Sequence, residues 1–86
     1  MDQMTFNQLR KILPALKASD PVGTSGFAFY KGAYTLLTIS AKGVYEAVTQ
    51  FPGGKIKVGT YNSLSDVDLI HLGAPELLGQ YFIRLP

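Results

Sequence analysis

Glycines divide the larger part of this chain into short apolar segments, and this punctuation constrains the fold more than any other feature. The glycines that bound these segments are Gly26, Gly32, Gly43, Gly53, Gly54 and Gly73. Stretches of this length, rich in β-branched and aromatic residues, predict strands. With one amphipathic helix ahead of them, they predict an α+β domain. Because one helix covers only one side of a sheet, we expect the other side to meet water, a second subunit or a partner.

The composition predicts a single domain, residues 1–86, with more apolar side chains than its own core can absorb. The chain has 86 residues, of which 47% are hydrophobic, 12% aromatic and 16% charged. A domain of this size buries only about 60 to 65% of the surface of its unfolded chain. We therefore expect self-association, as in a homodimer, or burial against a partner.

Several classes of protein are disfavoured by the residues that the chain lacks. It has no cysteine, which leaves no disulfide framework, thiolate metal site or thiol nucleophile. The start at Met1 lacks the basic region and long apolar run of a signal peptide, so we expect a cytoplasmic protein. The most apolar stretch, 34–39, is far shorter than the roughly 20 residues of a membrane-spanning helix. A net charge of +2 is too weak to predict a duplex-binding patch.

The N-terminal segment has helical periodicity. Its apolar stripe consists of Phe6, Leu9, Ile12, Leu13 and Leu16. Thr5 followed by Gln8 is typical of a capping box, which predicts that the helix begins at Thr5. Pro14 removes a backbone donor inside this pattern, so we expect a kink near Leu13.

The middle of the chain predicts a curved antiparallel meander of four to five strands, on which the helix packs. Four strands are expected near 27–31, 33–40, 44–51 and 55–61. The turns between them fall at Lys31-Gly32, Ala41-Lys42-Gly43 and Pro52-Gly53-Gly54. Residues 44–51 also fit helical spacing, so a helix there is the alternative.

The C-terminal part contains a second, shorter helix pattern. Ser65 is a candidate helix start and Gly73 a stop, which predicts a short helix near 66–72, with a strand over 68–72 as the alternative. Alternating apolar residues over 80–85 predict a last strand.

Alternation within each strand predicts two sheet faces. The face under the helix is expected to hold Phe27, Phe29, Leu37, Ile39, Ile56, Val58, Tyr81 and Ile83. The opposite face is expected to hold Tyr30, Tyr34, Leu36, Lys57, Tyr61, Phe82 and Arg84.

No motif predicts catalysis, a cofactor or a metal. The single histidine, His71, lies three residues after Asp68, and a triad with these two would need Ser63 or Ser65. No nucleophile elbow accompanies them, and one histidine with nearby aspartates does not make a zinc site. The sequence Gly53-Gly54-Lys55 lacks the first glycine and the final hydroxyl residue of a phosphate loop. We therefore expect a protein that is not an enzyme.

The resulting hypothesis is a small interaction module that binds a protein partner, or itself, through an aromatic sheet face. The residues expected to bind are Tyr30, Tyr34, Lys57, Tyr61 and Phe82. Small size and the absence of a catalytic signature are also typical of accessory or inhibitor proteins of phages and mobile elements. The alternative is a protein that binds single-stranded nucleic acid on an OB-like sheet, with tyrosines stacking on bases and with Lys31, Lys57 and Arg84 neutralising phosphates.

Overall fold

The computed structural model describes Met1–Pro86 and has the predicted α+β architecture. Its elements are α1 (Gln3–Ile12), β1 (Ser25–Tyr30), β2 (Ala33–Ala41), β3 (Val44–Gln50), β4 (Ile56–Tyr61), α2 (Leu64–Asp66), a π-helical turn (Val67–His71), a 3-10 turn (Pro75–Leu77) and β5 (Ile83–Arg84). The strands form one antiparallel sheet in the order β4-β3-β2-β1-β5. The sheet does not close into a barrel, so β4 and β5 are its two edges.

Tight hairpins connect the first four strands at the predicted turns. Lys31 and Gly32 both have positive φ, 49° and 83°, as a type I′ turn requires. Gly53 and Gly54 also have positive φ, 92° and 95°, and let the chain reverse between β3 and β4. Residues 44–50 form a strand, so the helical alternative for this segment is wrong. Strand β3 lies between two neighbours, and ladder bonds to both override its marginal helical spacing.

Helix α1 begins earlier than predicted and ends before the proline. Asp2 is the N-cap, and its side chain accepts a hydrogen bond of 2.8 Å from the backbone N–H of Thr5. The predicted start at Thr5 is therefore wrong, because the aspartate takes the capping role first. No kink forms at Pro14, since the helix ends at Ile12 and Leu13 is extended, with φ −105° and ψ 148°. A residue before proline is sterically disfavoured from the helical region.

The segment after α1 covers one edge of the sheet. Ala15 forms an antiparallel bridge with Ile83, and the backbone N–H of Arg84 donates to the carbonyl oxygen of Pro14 at 2.9 Å. The backbone N–H of Leu16 donates to the carbonyl oxygen of Phe82 at 2.8 Å. Residues 14–16 therefore pair with the outer edge of β5.

The short C-terminal helix is confirmed, and the alternative strand over 68–72 is wrong. Ser63 caps α2 instead of Ser65, with its hydroxyl accepting from the backbone N–H of Asp66 at 3.0 Å. The last strand is shorter than the predicted 80–85 and comprises only Ile83–Arg84. The expected alternation fails before it, because Tyr81 and Phe82 are buried as well as Ile83.

The core lies between the sheet, α1 and the C-terminal segment. Phe6, Leu16, Leu37 and Val67 are almost completely buried. Helix α1 contacts β1, where the rings of Phe6 and Phe27 meet edge to face at 5.7 Å. The π-helical turn, by contrast, packs under β3. None of the helices combines the length and the hydrophobicity needed to span a bilayer.

A substitution at Gly26 tests how closely β1 packs against Leu16 and β5. A Cβ at this position would lie 3.0 Å from the carbonyl oxygen of Ile83 and 3.2 Å from Leu16 Cβ. We expect Gly26→Ala to lower the free energy of unfolding by about 1 to 3 kcal/mol, because the overpacked neighbours must shift. Urea denaturation measures this change. Ser40→Ala, at an exposed position of β2, is the control and should change stability by less than about 0.5 kcal/mol. Equal stability of the two variants would contradict this packing.

Candidate functional site

Strand register places a continuous row of apolar side chains on one side of the sheet. Phe27 pairs with Leu36, Leu36 with Val48, and Val48 with Val58. Directly opposed residues point to the same side of a sheet, so this row crosses four strands. A second row beside it comprises Phe29, Tyr34, Gln50 and Ile56.

Five apolar or aromatic residues of these rows are solvent-exposed, and we call them the open face: Tyr34, Leu36, Val48, Ile56 and Val58. Their exposed fractions lie between 41% for Val48 and 69% for Val58. The β1 end of the rows is shielded, because Phe27 packs on Phe6, and Phe29 is buried with its ring 4.9 Å from that of Tyr34. The open face therefore extends over β2, β3 and β4.

The open face carries very little charge. A third row, on the other side of the apolar row, consists of Ser25, Thr38, Glu46 and Thr60. Glu46 is the one charged residue in the three rows, which contain no lysine or arginine. An apolar, nearly neutral surface of this kind is favoured at the centre of protein interfaces, where charged residues are depleted.

The opposite side of the sheet, the covered face, is closed by the C-terminal segment. Leu37, Ala47 and Thr49 of the central strands are all buried there. The imidazole of His71, from the π-helical turn, reaches the Thr49 hydroxyl, with Nε2 2.7 Å from Oγ1. Because the C-terminal segment is short, it covers one side of the sheet and leaves the other exposed.

The five residues predicted to bind a partner do not form one surface. Tyr34 lies on the open face, whereas Tyr30, Lys57 and Tyr61 belong to the covered face by their register. Phe82 is 3% exposed and belongs to the core. The expected common face for these five residues is therefore corrected by the structure.

Tyr30 and Lys57, which lie away from the open face, both form contacts within the molecule. Tyr30 donates a hydrogen bond to Glu76 at 3.0 Å and meets the ring of Tyr81 edge to face at 5.6 Å. Lys57 donates from Nζ to the carbonyl oxygen of His71 at 2.8 Å. This bond ties the C-terminal segment to β4.

The predicted face is wrong for Ile56 and Val58, which are exposed on the open face instead of lying under the helix. Phe27 does contact Phe6 of α1 and Phe29 is buried, but by their register both share a side with Leu36, opposite to Leu37. A two-residue turn places the last residue of β1 opposite the first residue of β2, Tyr30 opposite Ala33. A one-residue slip in this assignment moves a whole strand to the other face. Turn length was the signal that would have placed these strands correctly.

A buried chain of hydrogen bonds surrounds the single histidine. The hydroxyls of Thr35 and Thr49 are 2.6 Å apart, and the Tyr61 hydroxyl is 2.8 Å from His71 Nδ1. Both ring nitrogens of His71 are thus engaged within the protein. Burial lowers the pKa of His71, and the nearby Lys57 lowers it further. A neutral, buried and fully bonded imidazole is suited to holding the C-terminal segment on the sheet.

Asp68 is buried but does not pair with His71. One carboxylate oxygen accepts a hydrogen bond from the backbone N–H of Gly79, and Oδ1 has no partner. Burial raises the pKa of this carboxyl group. Asp68 and His71, although three residues apart, form separate bonds to Gly79 and Thr49, and Ser63 caps α2. No cluster of three or more potential metal ligands forms.

Comparison of the chain with family models, with curated proteins and with solved structures finds no match.

The lowered pKa of His71 predicts a pH-dependent stability. Because the pKa of His71 in the folded state lies below its unfolded value of 6.5, its contribution to stability is present above pH 6.5 and is lost as the pH falls from there through the lower folded-state pKa. We expect the wild type to lose stability below about pH 6.5 relative to His71→Gln, which has no titrating ring. Urea denaturation of both proteins between about pH 5 and 8 measures the difference. The contribution of Asp68 is common to both proteins and cancels. A constant stability difference over this range would contradict the buried neutral imidazole.

Proposed function

We propose that this protein is a non-enzymatic interaction module that binds an apolar surface of a protein partner through its open face. The observation that carries the proposal is the row of Leu36, Val48 and Val58, exposed side by side on three adjacent strands. Burying such side chains is favourable by about 25 cal/mol for each Å² removed from water. A contiguous patch is also unlike the scattered single apolar residues common on monomer surfaces.

The chemistry of the partner follows from the charge of the face. Because Glu46 is the one charged residue in its three rows, a complementary surface needs apolar side chains and no dense positive or negative field. Tyr34 adds an amphipathic ring at the border, with large contact area and a polar tip. The absence of cysteine is the basis for proposing that the binding takes place in the cytoplasm.

Single-stranded nucleic acid is less well suited to this face. None of the three cations expected to neutralise phosphates belongs to the rows of the open face. Lys57 bonds the His71 carbonyl oxygen, Arg84 forms an ion pair of 3.2 Å with Asp20, and Lys31 lies over the ring of Tyr30, with Nζ 5.3 Å from its centroid. A nucleic-acid site needs cations beside its stacking rings to neutralise phosphates. The open face offers Glu46 in that position, which repels them.

Replacing the centre of the open face by lysine tests the proposal. The double variant Leu36→Lys, Val48→Lys places two charges where the partner's apolar surface is expected to dock. We expect at least a tenfold weaker capture of the partner, which corresponds to about 1.4 kcal/mol. Affinity purification from the native host, quantified by mass spectrometry, identifies proteins that the wild type enriches and the double variant does not.

Met4→Lys, Ile12→Lys is the matched control. These two residues are 71% and 77% exposed, and neither belongs to the open face. The control changes the same number of apolar residues to lysine and should retain the enriched proteins. Retention of the same proteins by all three forms, or loss in both double variants, would contradict the proposal. Labelled single-stranded oligonucleotide, titrated at low salt, should show no binding to the wild type.

A further inference from the structure

One edge of the sheet, β5, is covered by another segment of the chain, whereas the other edge, β4, is free to pair. The outer edge of β5 is occupied by residues 14–16 of this chain, through the hydrogen bonds of Pro14 and Leu16. The outer edge of β4 has no such cover. Backbone hydrogen bonds formed outside the regular elements include none from residues 56–61.

The hairpin between β3 and β4 determines which backbone groups of β4 are free. The N–H of Phe51 donates to the carbonyl oxygen of Lys55 at 2.8 Å, which makes this pair a hydrogen-bonded position. In an antiparallel ladder such positions alternate with non-bonded ones. Lys57, Gly59 and Tyr61 therefore direct their backbone groups toward β3. Ile56, Val58 and Thr60 direct theirs outward, away from the sheet.

Strand β4 also lacks the features by which edge strands usually avoid pairing. It contains no proline, and its register with β3 is regular over six residue pairs, without a bulge. Its one charged side chain, Lys57, is held on the covered face by the carbonyl oxygen of His71. Val58, at the middle of the outward-facing set, is 69% exposed. The edge of β4 is therefore long, regular and accessible enough to pair with another strand.

We propose that β4 pairs with β4 of a second copy of this chain, antiparallel and about a two-fold axis at Val58. In this register Val58 lies opposite its own copy, and Ile56 lies opposite Thr60 of the second copy. All three outward-facing residues then exchange both backbone hydrogen bonds with the second copy. The interface is isologous, so it closes as a dimer and does not propagate.

Charge and backbone complementarity select this register over its neighbours. Sliding the second copy by two residues in one direction places Lys57 opposite its own copy, which opposes like charges. Sliding by two residues in either direction also leaves one outward-facing residue of each copy unpaired. In the proposed register Lys57 faces Gly59 of the second copy, which has no side chain. A second copy in this register therefore pairs all three outward-facing residues of β4 in both chains without opposing like charges.

Such a dimer would place two five-stranded sheets edge to edge, with their open faces on the same side. Ile56 and Val58 of both copies would meet at the junction and join the two apolar rows into one wider surface. The proposed function does not require this dimer, since each open face is complete within one chain.

Val58→Pro tests the pairing with little effect on the monomer. Proline has no N–H, and the N–H of Val58 is not used in the ladder with β3, so proline is tolerated there as on other edge strands. We expect the wild type to approach twice its 9.4 kDa mass in sedimentation equilibrium as its concentration rises from roughly 1 to 500 µM. Val58→Pro should stay at 9.4 kDa over the same range. Val58→Thr keeps the N–H and a β-branched side chain, and should dimerise like the wild type.

Amide hydrogen exchange provides a second measurement that needs no variant. In the wild type, the amides of Ile56, Val58 and Thr60 should exchange more slowly as protein concentration rises, while exposed turn amides such as that of Gly43 should not change. A wild type that remains monomeric throughout, or concentration-independent exchange at these three amides, would overturn the inference. Leu36→Lys, Val48→Lys should dimerise like the wild type. This variant therefore separates failure of the dimer from failure of the proposed function.

Discussion

The registry of three antiparallel hairpins is the constraint on which the rest of the structure depends. Once Tyr30 is opposite Ala33, Leu36 opposite Val48 and Gln50 opposite Ile56, every side chain in β1 to β4 is assigned to one face or the other. Leu37 and Ala47 become core residues, while Leu36 and Val48 beside them become surface. Core and candidate binding surface are thus set by the same backbone pairing.

The covered face depends on a short segment held by polar contacts as well as apolar ones. Val67 is completely buried, and His71 bonds to Thr49 and Tyr61. Lys57 adds a bond from β4 to the end of the π-helical turn. Buried hydrogen-bonded groups of this kind are costly to leave unpaired, so they fix the position of the segment on the sheet. The segment cannot also reach the open face.

Much of the secondary structure was predictable from local signals, whereas the assignment of side chains to the two faces of the sheet was not. Positive-φ glycines and short apolar runs located four strands within one or two residues, and the short helix near 66–72 followed from its stop at Gly73. The start of α1 was missed because Asp2 competes with Thr5 for the cap. Burial of Tyr81, Phe82 and Ile83 in succession was missed because it arises from contacts with residues more than 50 positions away, such as Phe29. The candidate site was found only in part, since Tyr34 alone of the five predicted residues lies on the open face.

One side of the sheet over β2 to β4 is apolar and open to solvent, and everything proposed for this protein depends on that exposure. Paramagnetic relaxation by a neutral soluble gadolinium chelate measures this directly on methyl groups of the dilute protein. The methyl signals of Leu36, Val48 and Val58 should be strongly broadened, while those of their sequence neighbours Leu37 and Ala47 should be protected. Equal protection of both sets, or broadening of Leu37 and Ala47 instead, would contradict the register from which the open face is derived.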